Sequence, residues 1–115
     1  MRYLALIYTP EPTAPPSDAE TQQMMEEYGT YTEMIRQRGV YLGGEALHPS
    51  STATTLRVRK GKLTATDGPF AESKEQLGGY YVLQCSDLDQ AVEVAGKIPG
   101  ARYGAIEVRP IMDMG

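Results

Sequence analysis

The chain has 115 residues, a formal net charge of −4 at neutral pH, one Cys, one His, one Phe and no Trp. This length predicts a single domain over residues 1–115, large enough to fold around its own core. The counts exclude a disulfide framework and a Cys/His zinc site, so we expect no metal ion and no cofactor. The negative charge argues against direct nucleic-acid binding. The chain has no apolar run long enough to span a membrane, and the unpaired Cys85 fits a cytoplasmic protein.

The N-terminal part predicts a strand, a helix and a second strand. Residues 3–8 are apolar and stop before a proline-rich surface loop over residues 10–16. Ser17 and Glu20 have the spacing of a capping box. An amphipathic helix is therefore predicted over residues 18–38, and its inner face is formed by Met24, Tyr28, Tyr31 and Ile35. The second strand covers residues 40–47, where Gly43-Gly44 indicates a bulge or close packing.

A β-hairpin follows after a turn over residues 48–51. Its strands cover residues 54–59 and 62–66, joined by the two-residue loop Lys60-Gly61. This loop places Val58 opposite Leu63, so one face is predicted to be dry and the other wet. The dry face contains Leu56, Val58, Leu63 and Ala65, and the wet face contains Arg57, Arg59, Lys62 and Thr64.

The C-terminal part predicts a further strand, helix and strand. A loop over residues 67–77 leads to a strand over residues 80–85 and to a helix capped by Ser86-Asp87-Leu88-Asp89. Pro99-Gly100 ends this helix, and the last strand covers residues 103–109. The inner face of the helix is predicted to contain Leu88, Ala91, Val92, Ala95 and Ile98.

This order predicts an α+β fold of the ferredoxin-like βαββαβ type with an inserted β-hairpin. Two helices cover only one face of such a sheet. The strand over residues 80–85 carries apolar groups on both faces, which favours a homodimer packed sheet against sheet. A monomer with a few exposed tyrosines is the alternative.

The segment Asp67-Gly68-Pro69-Phe70-Ala71-Glu72-Ser73-Lys74-Glu75 resembles the DGPFAETKE signature of the YCII-related DGPF proteins, with Ser in place of the usual Thr. The resemblance extends over nearly the whole chain, including Gly43 to Leu47 and Pro99 to Gly104. It implies a dimeric α/β barrel of ferredoxin-like subunits, mostly bacterial, without a settled activity. The wider group is thought to use a His–Asp pair with the His on the first helix. That helix has no His here, so the possible site role passes to Asp67 of the motif.

The position of Asp67 in the strand also supports a site role. It has the same parity as Leu63 and Ala65, so a continued strand would direct its carboxylate towards the dry face. Desolvation would raise the pKa of such a carboxylate and prepare it for acid or base chemistry. An Asx turn, in which Asp67 accepts nearby amide hydrogens, is the alternative.

The other candidates each have a structural alternative. His48 is a candidate acid or base, or else an exposed residue of a turn. Tyr28 and Tyr31 are candidate substrate-binding residues, or else core aromatics. Glu72 and Lys74 are candidates for a binding rim, or else solvated charges, and Phe70 is expected to anchor their loop in the core.

Two functions follow. The first is a small cofactor-independent enzyme that performs proton transfer, such as an isomerase or lyase, on a small metabolite in a cleft between the first helix and the sheet. Asp67 would act with a tyrosine or His48. The second is a non-catalytic dimeric module that senses a ligand or binds a partner in sigma-factor regulation. The enzyme requires a cleft that contains Asp67.

Overall fold

A computed structural model describes residues 1–114, which form six strands and two α-helices. Two short 3-10 helices, Ser50–Thr52 and Pro99–Arg102, complete the secondary structure of this part of the chain. The elements in chain order are β1 (Arg2–Pro10), α1 (Asp18–Gln37), β2 (Tyr41–Ala46), β3 (Thr54–Arg59), β4 (Lys62–Asp67), β5 (Glu75–Gln84), α2 (Leu88–Ala95) and β6 (Ala105–Pro110).

The strands form one four-stranded and one two-stranded sheet. The larger sheet has the order β2-β5-β1-β6 with every neighbouring pair antiparallel, and β3 and β4 pair only with each other. This α+β arrangement is compatible with the predicted ferredoxin-like fold with an inserted hairpin. Both features that the glycine pair of β2 could indicate, a bulge or close packing, are present. The β2–β5 register shifts between Tyr41 and Gly43, and a Cβ at Gly44 would lie 2.7 Å from the Tyr80 carbonyl oxygen.

The first helix begins where the capping box predicts. The Ser17 hydroxyl accepts a hydrogen bond from the Glu20 amide at 3.1 Å, and the Glu20 carboxylate accepts one from the Ser17 amide at 3.2 Å. Tyr31 and Ile35 are buried against the sheet, whereas Met24 is about half exposed. The predicted inner face is therefore buried only in the C-terminal half of α1. Among the described residues, no helix has the length and apolarity needed to cross a membrane.

The core lies between the two helices and one face of the larger sheet. The buried residues of β1 and β5 alternate with half-buried ones, as expected when only one face is covered by helices. In α2 the prediction for Leu88 and Val92 is wrong, since both are more than half exposed. The α2 residues that enter the core are instead Ala91, Val94 and Ala95, followed by Ile98 just beyond the helix. These buried residues have the spacing of three, one and three positions that defines one face of a helix, and Val94 lies on that face whereas Val92 does not.

The opposite face of the sheet is covered by no element among residues 1–114, and we call it the open sheet face. In the antiparallel ladder Leu4 lies opposite Val82, and Leu6 lies opposite Tyr80. All four side chains are half-buried. The prediction of apolar residues on both faces of β5 is therefore confirmed.

The hairpin has the predicted register but not the predicted burial. Val58 pairs with Leu63 and Leu56 with Ala65, as the two-residue turn requires. However, Leu56, Val58 and Leu63 are each 60–65% exposed, and β3 and β4 form a two-stranded sheet of their own. We call the side with Leu56, Val58, Leu63 and Ala65 the apolar hairpin face.

The loop after the hairpin also differs from the prediction. β4 extends to Asp67 and β5 begins at Glu75, so the connection is shorter than expected. Phe70 does not anchor the loop in the core, since it is 69% exposed. The Arg57 guanidinium instead lies over the Phe70 ring, 5.2 Å from its centroid. The loop runs beside the hairpin, where no core is available to receive the ring.

Candidate functional site

A cleft of about 710 Å³ lies between α1 and the four-stranded sheet. One wall is the N-terminal half of α1, and the proline-rich loop after β1 contributes Pro10, Pro12 and Pro16. The sheet wall includes Gly44, Gly78 and Gly79. Because glycine has no side chain, the cleft reaches the backbone of β2 and β5.

Tyr28 places a hydroxyl at this cleft. Its oxygen accepts a hydrogen bond from the Gly100 amide at 3.2 Å, which links α1 to the 3-10 helix before β6. Burial raises the pKa of Tyr28 to about 12, more than this hydrogen bond lowers it. The phenol therefore keeps its proton at neutral pH and cannot serve there as a general base.

Thr32 and Tyr81 place two further hydroxyls in the cleft. Their oxygens lie 2.9 Å apart, so one hydroxyl donates a hydrogen bond to the other. The Tyr81 ring packs edge-on against Tyr31 and Tyr41, with centroids 5.2 Å and 6.3 Å away. Burial raises the pKa of Tyr81, although its hydrogen bond with Thr32 opposes the shift. This side chain is thus held in place and protonated.

Three of the four charged side chains at the cleft are already engaged with each other or with the backbone, and Glu45, the fourth, accepts no hydrogen bond within residues 1–114. Arg102 is the basic residue of the lining, and it forms an ion pair with Glu27. Glu20 takes part in the capping box of α1. The cleft therefore offers hydroxyl groups and aromatic rings rather than an unpaired cation.

The structure brings only one of the six predicted site residues to the cleft. Tyr28 lines it, whereas Tyr31 is buried in the core, where its hydroxyl donates a hydrogen bond to the Val94 carbonyl at 2.9 Å. The other four are exposed and lie outside the cleft lining: His48, Asp67, Glu72 and Lys74.

Asp67 lies at the end of β4, opposite Thr54, on the same side as the apolar hairpin face. The prediction of its parity is confirmed, but the carboxylate is exposed in the single chain. The turn after it is closed by Gly68, whose amide donates to the Ala53 carbonyl at 2.8 Å and whose carbonyl accepts from the Thr55 hydroxyl at 2.8 Å. Within residues 1–114 the Asp67 carboxylate accepts no hydrogen bond, so the Asx turn is not formed there either.

Sequence reasoning did not single out Thr32 and Tyr81. Tyr28 and Thr32 are four residues apart in α1, so both lie on the same side of the helix. This spacing could have identified Thr32 as a second residue of the cleft. No local signal indicates Tyr81, because its contact with Thr32 joins residues 49 positions apart.

Comparison with known proteins shows the family to which the chain belongs. Residues 1–115 match the YCII-related domain family. The chain is also 35% identical over 114 residues to "Uncharacterized protein R00369" of Rhizobium meliloti (strain 1021), which covers 96% of this chain and 92% of that protein. The match to the family extends over the whole length, so the chain belongs to the YCII-related domain family.

Proposed function

We propose that the protein is a homodimer in which each chain binds a small, largely apolar molecule in the cleft between α1 and the sheet. The observation that carries this proposal is the cleft itself. Its volume of about 710 Å³ lies within the range of about 300–1,000 Å³ that is common for small-molecule sites. Such sites combine an apolar lining with a few fixed polar groups, as the Tyr28, Thr32 and Tyr81 hydroxyls do here.

A substitution at Gly78 can place a side chain in the cleft without a clash with the backbone. A Cβ at Gly78 would meet only the Thr9 hydroxyl, at 3.9 Å, so a larger side chain can enter the open space. We therefore expect Gly78→Val to fold but to lose ligand binding. Thr66→Val, on the exposed wet face of the hairpin, is the matched control.

The test is a titration with uncharged aromatic fragments, followed through the backbone amide signals in NMR spectra. The wild type and Thr66→Val should show shifts at Tyr28, Thr32 and Tyr81, and Gly78→Val should show none. Failure of every fragment to shift these signals in the wild type would contradict the proposed binding site.

The dimer is supported by the amount of exposed surface. A monomer of 12.6 kDa is expected to have about 6,200 Å² of accessible surface, whereas this chain has 8294 Å². Its radius of gyration is 16.1 Å, compared with about 13 Å for a compact domain of this length. The excess of about 2,100 Å² per chain, or about 4,200 Å² for two chains, lies in the range of about 2,000–5,000 Å² that obligate dimers bury in total. A second copy of the chain is the occupant that we propose for the open sheet face and the apolar hairpin face.

Substitutions at two neighbouring residues on opposite faces of β4 test the dimer. Leu63 lies on the apolar hairpin face, and the neighbouring Thr64 lies on the wet face. Leu63→Lys should weaken the dimer in sedimentation experiments, because it places a charge in the contact, whereas Thr64→Lys should not. A monomeric wild type at micromolar concentration would contradict this part of the proposal.

Proton-transfer catalysis is the second candidate function. Asp67 shares its side of the hairpin with the residues that we propose to be covered by the second copy. Dimerisation would therefore desolvate Asp67, which is the condition for acid or base chemistry. His48 stays the candidate helper, and Glu72 and Lys74 stay candidates for the rim.

Deuterium exchange separates the two functions once a ligand is identified. An enzyme should incorporate deuterium from heavy water into the bound ligand, and Asp67→Asn should abolish this exchange without loss of binding. Equal exchange in both proteins would remove Asp67 from the mechanism. Binding without any exchange would support the ligand-sensing module, with its expected link to sigma-factor regulation.

A further inference from the structure

We propose that the cleft selects uncharged apolar molecules that carry a carbonyl-type oxygen. This proposal rests on the ligand-binding function proposed above and specifies its ligand class. Its first ground is that two hydroxyl protons at the cleft have no hydrogen-bond acceptor within residues 1–114. Its second ground is that the described lining residues include no unpaired cation.

The first such donor is the Tyr28 hydroxyl. A phenol has one proton to donate and oxygen lone pairs that accept. Tyr28 uses its oxygen to accept from the Gly100 amide, and residues 1–114 provide no acceptor for its proton. The hydroxyl lies beside Ile7 and Thr9, which also line the cleft, since all three surround the position of a Cβ at Gly100. A ligand oxygen is the acceptor that this proton lacks.

The second donor belongs to the Thr32–Tyr81 pair. The two hydroxyls carry two protons, and their mutual hydrogen bond uses only one of them. The structure gives no other hydrogen bond to either hydroxyl within residues 1–114. The cleft therefore offers two hydroxyl protons among mostly apolar residues, one from Tyr28 and one from the Thr32–Tyr81 pair.

Charged ligands find no unengaged partner of opposite sign on the helix side of the cleft. A carboxylate would lose its water and meet Arg102, which is already paired with Glu27. An ammonium group would meet Glu20, which is engaged in the capping box. Glu45 contributes to the lining, but it pairs with Tyr80 in the ladder, so alternation directs its side chain towards the open sheet face. An uncharged acceptor is left as the matching group.

Four probes of nearly equal size test this inference: acetophenone, α-methylstyrene, benzoate and benzylamine. Acetophenone and α-methylstyrene differ in one group, since a C=CH₂ replaces the C=O. We expect acetophenone to bind about tenfold more tightly than each of the others, because only it satisfies the hydroxyl donors without an unpaired charge.

Hydroxyl deletions show whether the donors cause this preference. Tyr28→Phe and the double change of Thr32→Val with Tyr81→Phe should each reduce acetophenone binding about five- to tenfold and leave α-methylstyrene binding unchanged. Thr32→Val alone would leave the Tyr81 proton free, so both hydroxyls of the pair are removed together. Tyr3→Phe is the control, because the Tyr3 hydroxyl contacts the Met1 sulfur outside the cleft lining. The double variant keeps the test valid if Tyr28→Phe does not fold.

The outcomes separate this inference from the function on which it rests. Binding of acetophenone with the expected loss in the two deletions supports both. Tighter binding of benzoate or benzylamine, or an unchanged preference in both deletions, overturns the ligand class but keeps the binding site. Binding of no probe at the cleft overturns the proposed function and the ligand class with it.

Discussion

Gly44→Ala is expected to destabilise the protein, because β2 and β5 approach each other closely at this position. A Cβ at Gly44 would lie 2.7 Å from the Tyr80 carbonyl oxygen and 2.8 Å from the Tyr81 ring, well inside ordinary contact distances. The first obstacle is backbone, so relief requires β2 to move away from β5.

The magnitude follows from two opposing effects. Overpacking of this kind costs about 1–3 kcal/mol, and the loss of glycine freedom in the unfolded chain returns about 0.4–1 kcal/mol. A net loss of about 1–2 kcal/mol in the free energy of unfolding is therefore expected for Gly44→Ala, which lowers Tm by about 4–8 °C for a chain of this size.

Gly29→Ala is the control for the same chemical change without the clash. A Cβ at Gly29, in α1, would have no neighbour within 4 Å. Alanine is the better helix former by about 0.8–1.0 kcal/mol, so Gly29→Ala should raise the free energy of unfolding. The assay is urea unfolding of the three proteins at one protein concentration, since a dimer makes stability depend on concentration. If Gly44→Ala unfolds at the same urea concentration as the wild type or at a higher one, the close approach of β2 and β5 is wrong.

Three further predictions concern titrating and hydrogen-bonding groups. Tyr31→Phe should cost about 1 kcal/mol in chemical unfolding, because it removes the hydrogen bond to the Val94 carbonyl; an unchanged midpoint would contradict this. Burial raises the pKa of Tyr31 and Tyr28 above the unfolded value of about 10, so stability is fully present below pH 10 and falls as the pH rises towards 12. Unfolding midpoints that stay constant over this range would refute it. The hydrogen bonds from Arg38 lower the pKa of Glu93 to about 2, so the difference in stability between wild type and Glu93→Gln should be present at pH 7 and vanish as the pH falls from about 4.5 towards 2. Thermal unfolding of the wild type and Glu93→Gln at about pH 7 and about pH 2 provides the measurement. High salt should reduce the difference in stability between the two proteins at pH 7.

Much of the fold could be predicted because its signals are local. The capping box sets the start of α1 through contacts three residues apart. The turn residues Lys60 and Gly61, both with positive φ, set the register of the hairpin. In both cases the interacting groups are close in sequence, so residue type and spacing are sufficient.

The candidate site could be predicted only in part, because its residues meet through long-range packing. The sequence placed a cleft between the first helix and the sheet and named Tyr28, which lines it. It gave Tyr31 the same role, but one further helical step takes that side chain into the core. The enzyme hypothesis required Asp67 in the cleft, but Asp67 lies outside the cleft lining, in the separate two-stranded sheet.

The sequence by itself therefore determined the family, the order of elements, the hairpin register and the apolar residues on both faces of β5. The tertiary structure alone decided which hydroxyls meet in the cleft, because Thr32 and Tyr81 are brought together by the packing of α1 on β5. It also decided that Phe70 and the apolar hairpin face are exposed in the single chain. The physical reason is that alternation and periodicity fix the side on which a residue lies, whereas only the packing of distant elements fixes what covers that side.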